Sequence, residues 1–393
     1  MTRTVAVVGA SLAGLSAGRA LREQGFDGRV LLIGEELHAP YDRTPLSKGF
    51  LAGTCPREDL DLVREDDTPL DFEWILGQRA VGLDPRGRSL RLAGGREIRA
   101  DGVVLATGAR ARRLAGQGSL STGSLSGVHV LRSLEDAVAL RSDLRAGKRL
   151  VVIGAGFIGA EVASTARGLG VDVTVIEALP VPLEGPLGSA MGGVCASLHA
   201  DHGTRLLTGT GVASIEGHDR VTAVRLLDGR RLPADVVVAG IGSKPNVEWL
   251  EGSGLDLRSG IATDARGATS IPEVVAVGDC GAPWCETAGR HVRAEHWTHA
   301  LEQPAAAVAA LLGTNAAPSH RVPYFWSDQY GVRIQFAGTR SLDARLRVVE
   351  GDVDSRSFLA LYERGEVPVA ILGMNQPRLF TRWRRQLHAA ATV

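Results

Sequence analysis

One local pattern occurs twice in this chain, and each copy commits a whole stretch of backbone to one supersecondary unit. The first copy reads Val5-Ala6-Val7-Val8-Gly9-Ala10-Ser11-Leu12-Ala13-Gly14, passes through an Ala- and Leu-rich stretch to Gly25, and ends Arg29-Val30-Leu31-Leu32-Ile33-Gly34-Glu35-Glu36. An apolar run without polar alternation suits a strand buried on both faces, and the glycine turn after it opens a helix, so the spacing predicts a βαβ unit. Gly9 permits the tight turn and Gly14 lets helix and strand approach. The helix N-terminus offers N–H groups and a positive dipole end to a pyrophosphate. Ser11 stands where the fingerprint has its second glycine, a mild departure because serine is small. Glu35, at the tip of the second strand, is placed to accept hydrogen bonds from a ribose.

The second copy runs Leu150-Val151-Val152-Ile153-Gly154-Ala155-Gly156-Phe157-Ile158-Gly159-Ala160-Glu161 and closes on Val171-Asp172-Val173-Thr174-Val175-Ile176-Glu177. One fingerprint is weak evidence, but two in one chain predict two bound dinucleotides. That is the layout of a flavoprotein that takes hydride from a nicotinamide.

At 393 residues and 44% hydrophobic content the chain has material for two or three domains. A formal net charge of zero, with no large block of one sign, argues against nucleic acid or an anionic membrane as partner. No apolar run reaches membrane-spanning length and no signal region precedes the first strand, so a soluble, cytoplasmic protein is expected. Cys55, Cys195, Cys280 and Cys285 form no C-x-x-C pair and no zinc-like grouping. They are read as reduced structural thiols, with no metal site.

Buried runs at 101–109 and 235–242 are each expected to close one of the two sheets, and a further strand over 273–279 ends at Asp279. A Gly/Ser-rich linker is expected over 116–127, a helical, Ala-rich segment following the 293–298 stretch and running to Leu312, and alternating strands from 322 onward. The fold class is therefore α/β: two Rossmann-like dinucleotide-binding domains, one inserted in the other, followed by a C-terminal α+β domain with an antiparallel sheet. The expected bounds are 1–115 with 243–321, then 116–242, then 322–393.

Five pieces of sequence narrow the reading further: Tyr41-x-Arg43-x-Pro45-Leu46-Ser47-Lys48, Thr107-Gly108, Val277-Gly278-Asp279, Glu295-His296-Trp297, and Trp326-Ser327-Asp328-Gln329-Tyr330-Gly331. With these the whole chain resembles the FAD-dependent, NADH-oxidising ferredoxin reductases that serve bacterial cytochromes P450 and Rieske oxygenases, within the glutathione-reductase-like fold. Thr44 departs from a frequent proline. Pro304 should kink its helix unless it lies in the first turn.

The resemblance implies that the first and third chain segments form the FAD domain, 116–242 the NADH domain, and 322–393 an interface domain. It places Gly9, Ser11, Leu12, Ala13, Gly14, Glu35 and Glu36 on the FAD pyrophosphate and adenosine. Ala80, Val81, Ala106, Thr107, Gly108, Arg132, Gly278, Asp279, Glu295 and His296 join the cofactor-contacting set. Arg43 and Lys48 would lie near flavin and phosphates, and Trp297 opens a helix whose dipole points at the flavin pyrimidine. Gly154, Gly156 and Gly159 would hold the NADH pyrophosphate, flanked by Phe157, Ile158, Gly240, Ile241 and Gly242. Glu161 would stand near the nicotinamide carboxamide, or serve only as a helix-terminal charge. Glu177 would take the adenine ribose and, with Ala178 and Leu179 beside it instead of an arginine, favour NADH over NADPH.

Lys48, Glu161, Trp297 and Trp326 are the residues on which the chemistry is expected to depend. No histidine is required as a base, since hydride transfer needs stacked rings and a dry site. Relatives that reduce disulfides carry a C-x-x-x-x-C pair shortly after the first βαβ unit or a C-x-x-C in the nicotinamide domain; this chain has Tyr41 to Lys48 in the first place and no pair in the second, so its electrons should leave for an external 2Fe–2S ferredoxin, and through it reach an oxygenase such as a cytochrome P450. Trp326 would sit at the docking edge, either as a docking residue or as core. Arg378, Arg382, Arg384 and Arg385 are read as a solvated helix face before a ferredoxin contact. Rival readings are a rubredoxin reductase or NADH oxidase, with Cys55 the sole sulfenate candidate, and a flavin-based redox sensor.

Overall fold

Each glycine-turn motif forms the centre of a five-stranded parallel sheet in the computed structural model, which describes residues 3–86, 88–114, 125–314 and 322–391. The chain divides into two units, one of residues 1–42, 60–110 and 244–323, the other of 43–59, 111–243 and 324–393. Residues 116–124 of the expected linker lie outside the described residues, as do the expected domain limits at 115, 116 and 321.

In the first unit β1 (Thr4–Val8) leads through α1 (Leu12–Glu23) to β2 (Arg29–Ile33). β1 lies between β2 and the strand Gly102–Leu105, all parallel, with Val5 opposite Val30 and Gly102. Phe72–Ile75 and Val274–Ala276 flank the three. Every residue of β1 is buried, as a strand covered on both faces requires. Helix Trp297–Leu312 packs on α1. It starts at Trp297, so Pro304 lies in its interior and not in its first turn. The side chain of Gln303 there ties the helix to the sheet, accepting from Gly278 N at 3.2 Å and donating to Ala276 O at 3.2 Å.

The second unit repeats that order. β3 (Arg149–Ile153), α2 (Phe157–Gly168) and β4 (Asp172–Ile176) form the motif, β3 lies between β4 and Val236–Ala239, and Arg205–Leu207 and Val128–His129 close the edges. Leu51, from the 43–59 segment, is fully buried in the core that contains Val152 and Val162. The C-terminal part is the expected antiparallel sheet of five strands, beginning with β5 (Tyr324–Gln329) and β6 (Val332–Gly338) and followed by α3 (Pro377–Ala391). The strand Ser357–Arg364 departs from the alternation expected of it, because six consecutive residues are buried. One face packs on helix Glu184–Asp201 through Leu187, Met191 and Leu198. α3 covers the neighbouring strand, where Phe380 meets Gly373.

A buried polar knot ties the β5–β6 turn to helix Glu184–Asp201. Tyr330, in left-handed backbone at φ +53°, bonds through its hydroxyl to His199 Nδ1 at 2.8 Å and Thr204 Oγ1 at 3.0 Å, and its ring stacks on His202 at 4.7 Å. Burial pushes the His199 imidazole down to about 4. Among the described residues, no helix is long and apolar enough to cross a membrane.

His199 generates a pH prediction. Its imidazole stays neutral in the fold but protonates in the unfolded chain near pH 6.5, so the unfolded state binds more protons between these values. Stability should therefore fall as pH drops from about 6.5 to about 4, with His199 accounting for roughly 3 kcal/mol. Urea midpoints of wild type and His199→Gln across that range test it; the variant should show the shallower acid limb.

Candidate functional site

The two glycine turns are built alike, and their own backbone dictates most of their glycines. A Cβ on Gly9, whose φ is +119°, would stand 2.0 Å from Ala106 O, and one on Gly14 would stand 1.8 Å from Gly9 O. In the second turn a Cβ on Gly154 would meet Gly240 O at 2.4 Å and one on Gly159 would meet Gly154 O at 2.1 Å. These four positions are glycine for closeness of chain to chain. Gly156 is different: a Cβ there meets nothing within 4 Å. The space above it, at the N-terminus of α2, suits a ligand group that must come close to backbone. Neither Ser11 on α1 nor Gly156 on α2 caps its helix with a side-chain hydrogen bond. Both N-termini thus keep the arrangement that favours a phosphate.

In the first unit the turn gathers several of the expected residues. Gly9 faces Ala106 and Thr107, while a Cβ on Gly278 would come within 2.8 Å of the Ala13 methyl. Leu12 opens α1. Asp279 follows Gly278, its carbonyl accepts from Arg293 at 3.3 Å, and Arg293 pairs with Glu295. Thr107 exchanges bonds with Asn246, donating at 2.8 Å and accepting at 3.0 Å, next to the Gly108 turn at φ +63°. His296 is the N-cap residue of the helix that Trp297 begins, and burial lowers its imidazole pKa against the opposing pull of Asp279 and Glu295. Glu36 accepts from the Tyr41 hydroxyl at 2.6 Å. Glu35 is exposed, 3.9 Å from Arg79. Ala80 turns into the core beside Leu90 and Leu92, with Val81 half-buried next to it.

In the second unit Glu177 returns from the tip of β4 to the turn: one oxygen accepts from Ala155 N at 2.8 Å and the other from Leu179 N at 2.9 Å. Gly240, Ile241 and Gly242 close the far side, and Gly242 O accepts from Arg112 N at 2.9 Å. Ile158 is 46% exposed at the start of α2. The Phe157 ring lies 4.7 Å from that of Phe325, tilted at 56°. Arg43 and Arg132 come together, Arg43 donating to Arg132 O at 2.7 Å.

The feature with the most chemical consequence lies in the same unit. Glu161, 2% exposed in the second turn of α2, accepts from Lys48 Nζ at 2.8 Å and Ser47 Oγ at 2.5 Å on one oxygen, and from Ser327 Oγ at 2.6 Å on the other. It is therefore no solvated charge at a helix end. A buried carboxylate is tolerated only when paired and hydrogen-bonded, and here three donors meet it. Lys48 also reaches Thr44 O at 3.2 Å and stays partly exposed. Trp326 stands one residue from Ser327, stacked on Tyr324 at 5.8 Å with the Arg333 guanidinium 6.0 Å away. Of the C-terminal arginines, Arg384 lies 4.1 Å over the Tyr324 ring, while Arg378, Arg382 and Arg385 are exposed. Ser47 and Ser327 were within quoted motifs, but nothing in their spacing tells that they share one carboxylate 114 and 166 residues away in the chain.

The pyridine nucleotide-disulphide oxidoreductase family matches residues 3–304, and the reductase C-terminal family matches 324–393. The chain is similar to the biphenyl dioxygenase system ferredoxin–NAD(+) reductase component of Paraburkholderia xenovorans (strain LB400), 41% identical over 92% of this chain and 87% of that one. Putidaredoxin reductase of Pseudomonas putida is 36% identical over 96% and 90%. The solved covalent putidaredoxin reductase–putidaredoxin complex superposes with a TM-score of 0.93 at 34% identity, covering 98% of this chain and 93% of that one.

Gly156 and Gly159 separate binding from folding. Gly156→Ala should fold with an unchanged thermal midpoint yet weaken pyridine-nucleotide binding by about tenfold or more, since the methyl projects into the open space above the turn. Gly159→Ala should instead cost the fold about 1–3 kcal/mol through overpacking against Gly154. Calorimetric titration with NAD(+) and thermal melts distinguish the two.

Proposed function

The chain belongs to the pyridine nucleotide-disulphide oxidoreductase family, and from that membership we propose that it is a flavoprotein reductase passing electrons from NADH through FAD to a 2Fe–2S ferredoxin that serves an oxygenase. The observation that carries the reading is the repetition of one sheet order around two glycine turns that each open a helix, one turn for each dinucleotide. None of the four cysteines is in a disulfide, and Cys280 is buried with its sulfur against Leu105 O and Val277 O. No disulfide stands ready inside the chain to take the electrons, which supports an external acceptor. Similarity to a ferredoxin–NAD(+) reductase component and to putidaredoxin reductase supports a ferredoxin as that acceptor. Four cysteines with no disulfide among them suit a reducing, cytoplasmic compartment.

When bound, FAD supplies the conversion from two-electron to one-electron chemistry. The protein's part is to bind, orient and hold charge. In this reading Gly9, Ser11, Leu12, Ala13 and Gly14 bind the FAD pyrophosphate at the end of α1, with Glu35 at the ribose and Asp279 and the Trp297 helix on the flavin side. Gly154, Gly156 and Gly159 bind the pyridine nucleotide, and Glu177 selects it by repelling a 2′-phosphate. Lys48, oriented by Glu161, supplies positive charge where reduction leaves negative charge. Trp326 lies on the face that meets the ferredoxin, with the exposed C-terminal arginines suited to an acidic surface.

An anaerobic stopped-flow titration tests the whole proposal. The yellow protein should bleach rapidly with NADH, respond weakly to NADPH, and reoxidise on addition of a 2Fe–2S ferredoxin. A protein that holds no flavin, or bleaches only over minutes and ignores the ferredoxin, is not this reductase. Glu177→Gln removes the repulsive charge but keeps an acceptor, so kcat/KM for NADPH should rise about tenfold, about 1.4 kcal/mol.

A further inference from the structure

We propose that Ser327, supported by Gln329, is a positioning residue for the Lys48–Glu161 pair, fixing the carboxylate that aims the lysine ammonium. Successive side chains of a strand point to opposite faces. On β5, Tyr324 and Trp326 share one face and stack at 5.8 Å. Phe325, Ser327 and Gln329 share the other, where Ser327 is 0% and Gln329 1% exposed.

That inner face meets one stripe of α2. Phe325 lies against Phe157 at 4.7 Å, Ser327 Oγ donates to Glu161 at 2.6 Å, and just past the strand Tyr330 N donates to Ser164 Oγ at 2.6 Å. Positions 157, 161 and 164 follow the helical repeat, so the strand is held along the helix at three successive points. The adjoining Thr165 donates to Ser47 O at 2.8 Å and so ties the turn before Lys48 to the same helix.

Hydrogen-bond directions then follow from what each group can give. An ionised carboxylate only accepts, so Ser327 must spend its single hydrogen on Glu161 Oε1. Its lone pairs are left for Gln329 Nε2, which donates at 3.0 Å. Gln329 Oε1 is buried without a hydrogen-bond partner among the described residues. Leaving a buried acceptor unmade costs free energy that an apolar side chain of the same shape avoids. The amide thus earns its place through the one bond it does make, orienting the Ser327 hydroxyl. With Oε1 occupied by Ser327, Oε2 is turned to Ser47 and Lys48. Lys48 Nζ divides its hydrogens between Glu161 and Thr44 O, which leaves one for a bound group.

The inference rests on the reading that Lys48 stabilises the reduced cofactor, and the experiment keeps the two apart. Flavin midpoint potential, flavin absorption spectrum and the anaerobic rate of reduction by NADH are measured on the holoprotein for wild type, Ser327→Ala, Ser327→Thr and Gln329→Leu. Ser327→Ala should slow flavin reduction about tenfold, as expected for one lost charge-assisted bond. It should move the potential to a more negative value and leave the NADH dissociation constant within about twofold of wild type. Ser327→Thr should restore rate and potential, and Gln329→Leu should shift both in the same direction by less. Wild-type potential and rate in Ser327→Ala overturn the inference. If that variant loses flavin, an unshifted potential in Gln329→Leu does the same. A wild-type protein that NADH does not bleach overturns the reductase reading instead.

Discussion

Much of the second unit is arranged around a single buried negative charge. Glu161 has almost no access to water, and an isolated carboxylate in that position would cost several kcal/mol in desolvation. It is tolerated because donors reach it from two separate parts of the chain, Ser47 and Lys48 before the motif and Ser327 far after it. Each donor imposes a location on its own segment. The 43–59 stretch must come back to α2, and the C-terminal sheet must present the inner face of β5. Removing either partner would leave an uncompensated charge, so the pair specifies an arrangement more than it stabilises one.

The parallel sheets follow from a different constraint. A strand that must be covered on both faces can only be central, and each motif supplies one: β1 and β3 both sit third of five with the same neighbours in the same order. The glycines then set how closely helix, strand and closing strand can meet. Gly9 against Ala106 and Gly154 against Gly240 are equivalent contacts in the two units, made by backbone oxygen at distances no side chain would permit.

This division explains what the sequence revealed. The βαβ units were legible because burial on both faces and a tight turn leave signatures within about thirty residues. The strand over 357–364 was harder, since a run such as Phe358-Leu359-Ala360-Leu361-Tyr362 acquires its second buried face only from helices elsewhere in the chain. The same limit hid the partners of Glu161. Lys48, Glu161 and Trp326 could each be marked within a motif, but a bond between residues 161 and 327 has no local pattern. The approach of the Phe157 ring to Phe325, tilted at 56°, is equally distant in sequence. Pro304 illustrates the converse: its place inside the Trp297 helix depended on a start point that propensity alone left open.

The two-faced use of β5 also makes this strand intolerant of length change. A one-residue slip of register exchanges the faces, turning Trp326 toward Glu161 and Ser327 away from it. Loops such as the Gly94–Gly95 turn, where a Cβ on either glycine would meet nothing within 4 Å, can lengthen at little cost. Insertions and deletions in descendants of this chain should therefore accumulate at such turns, while the count of residues between Tyr324 and Tyr330 stays constant even where their identities drift.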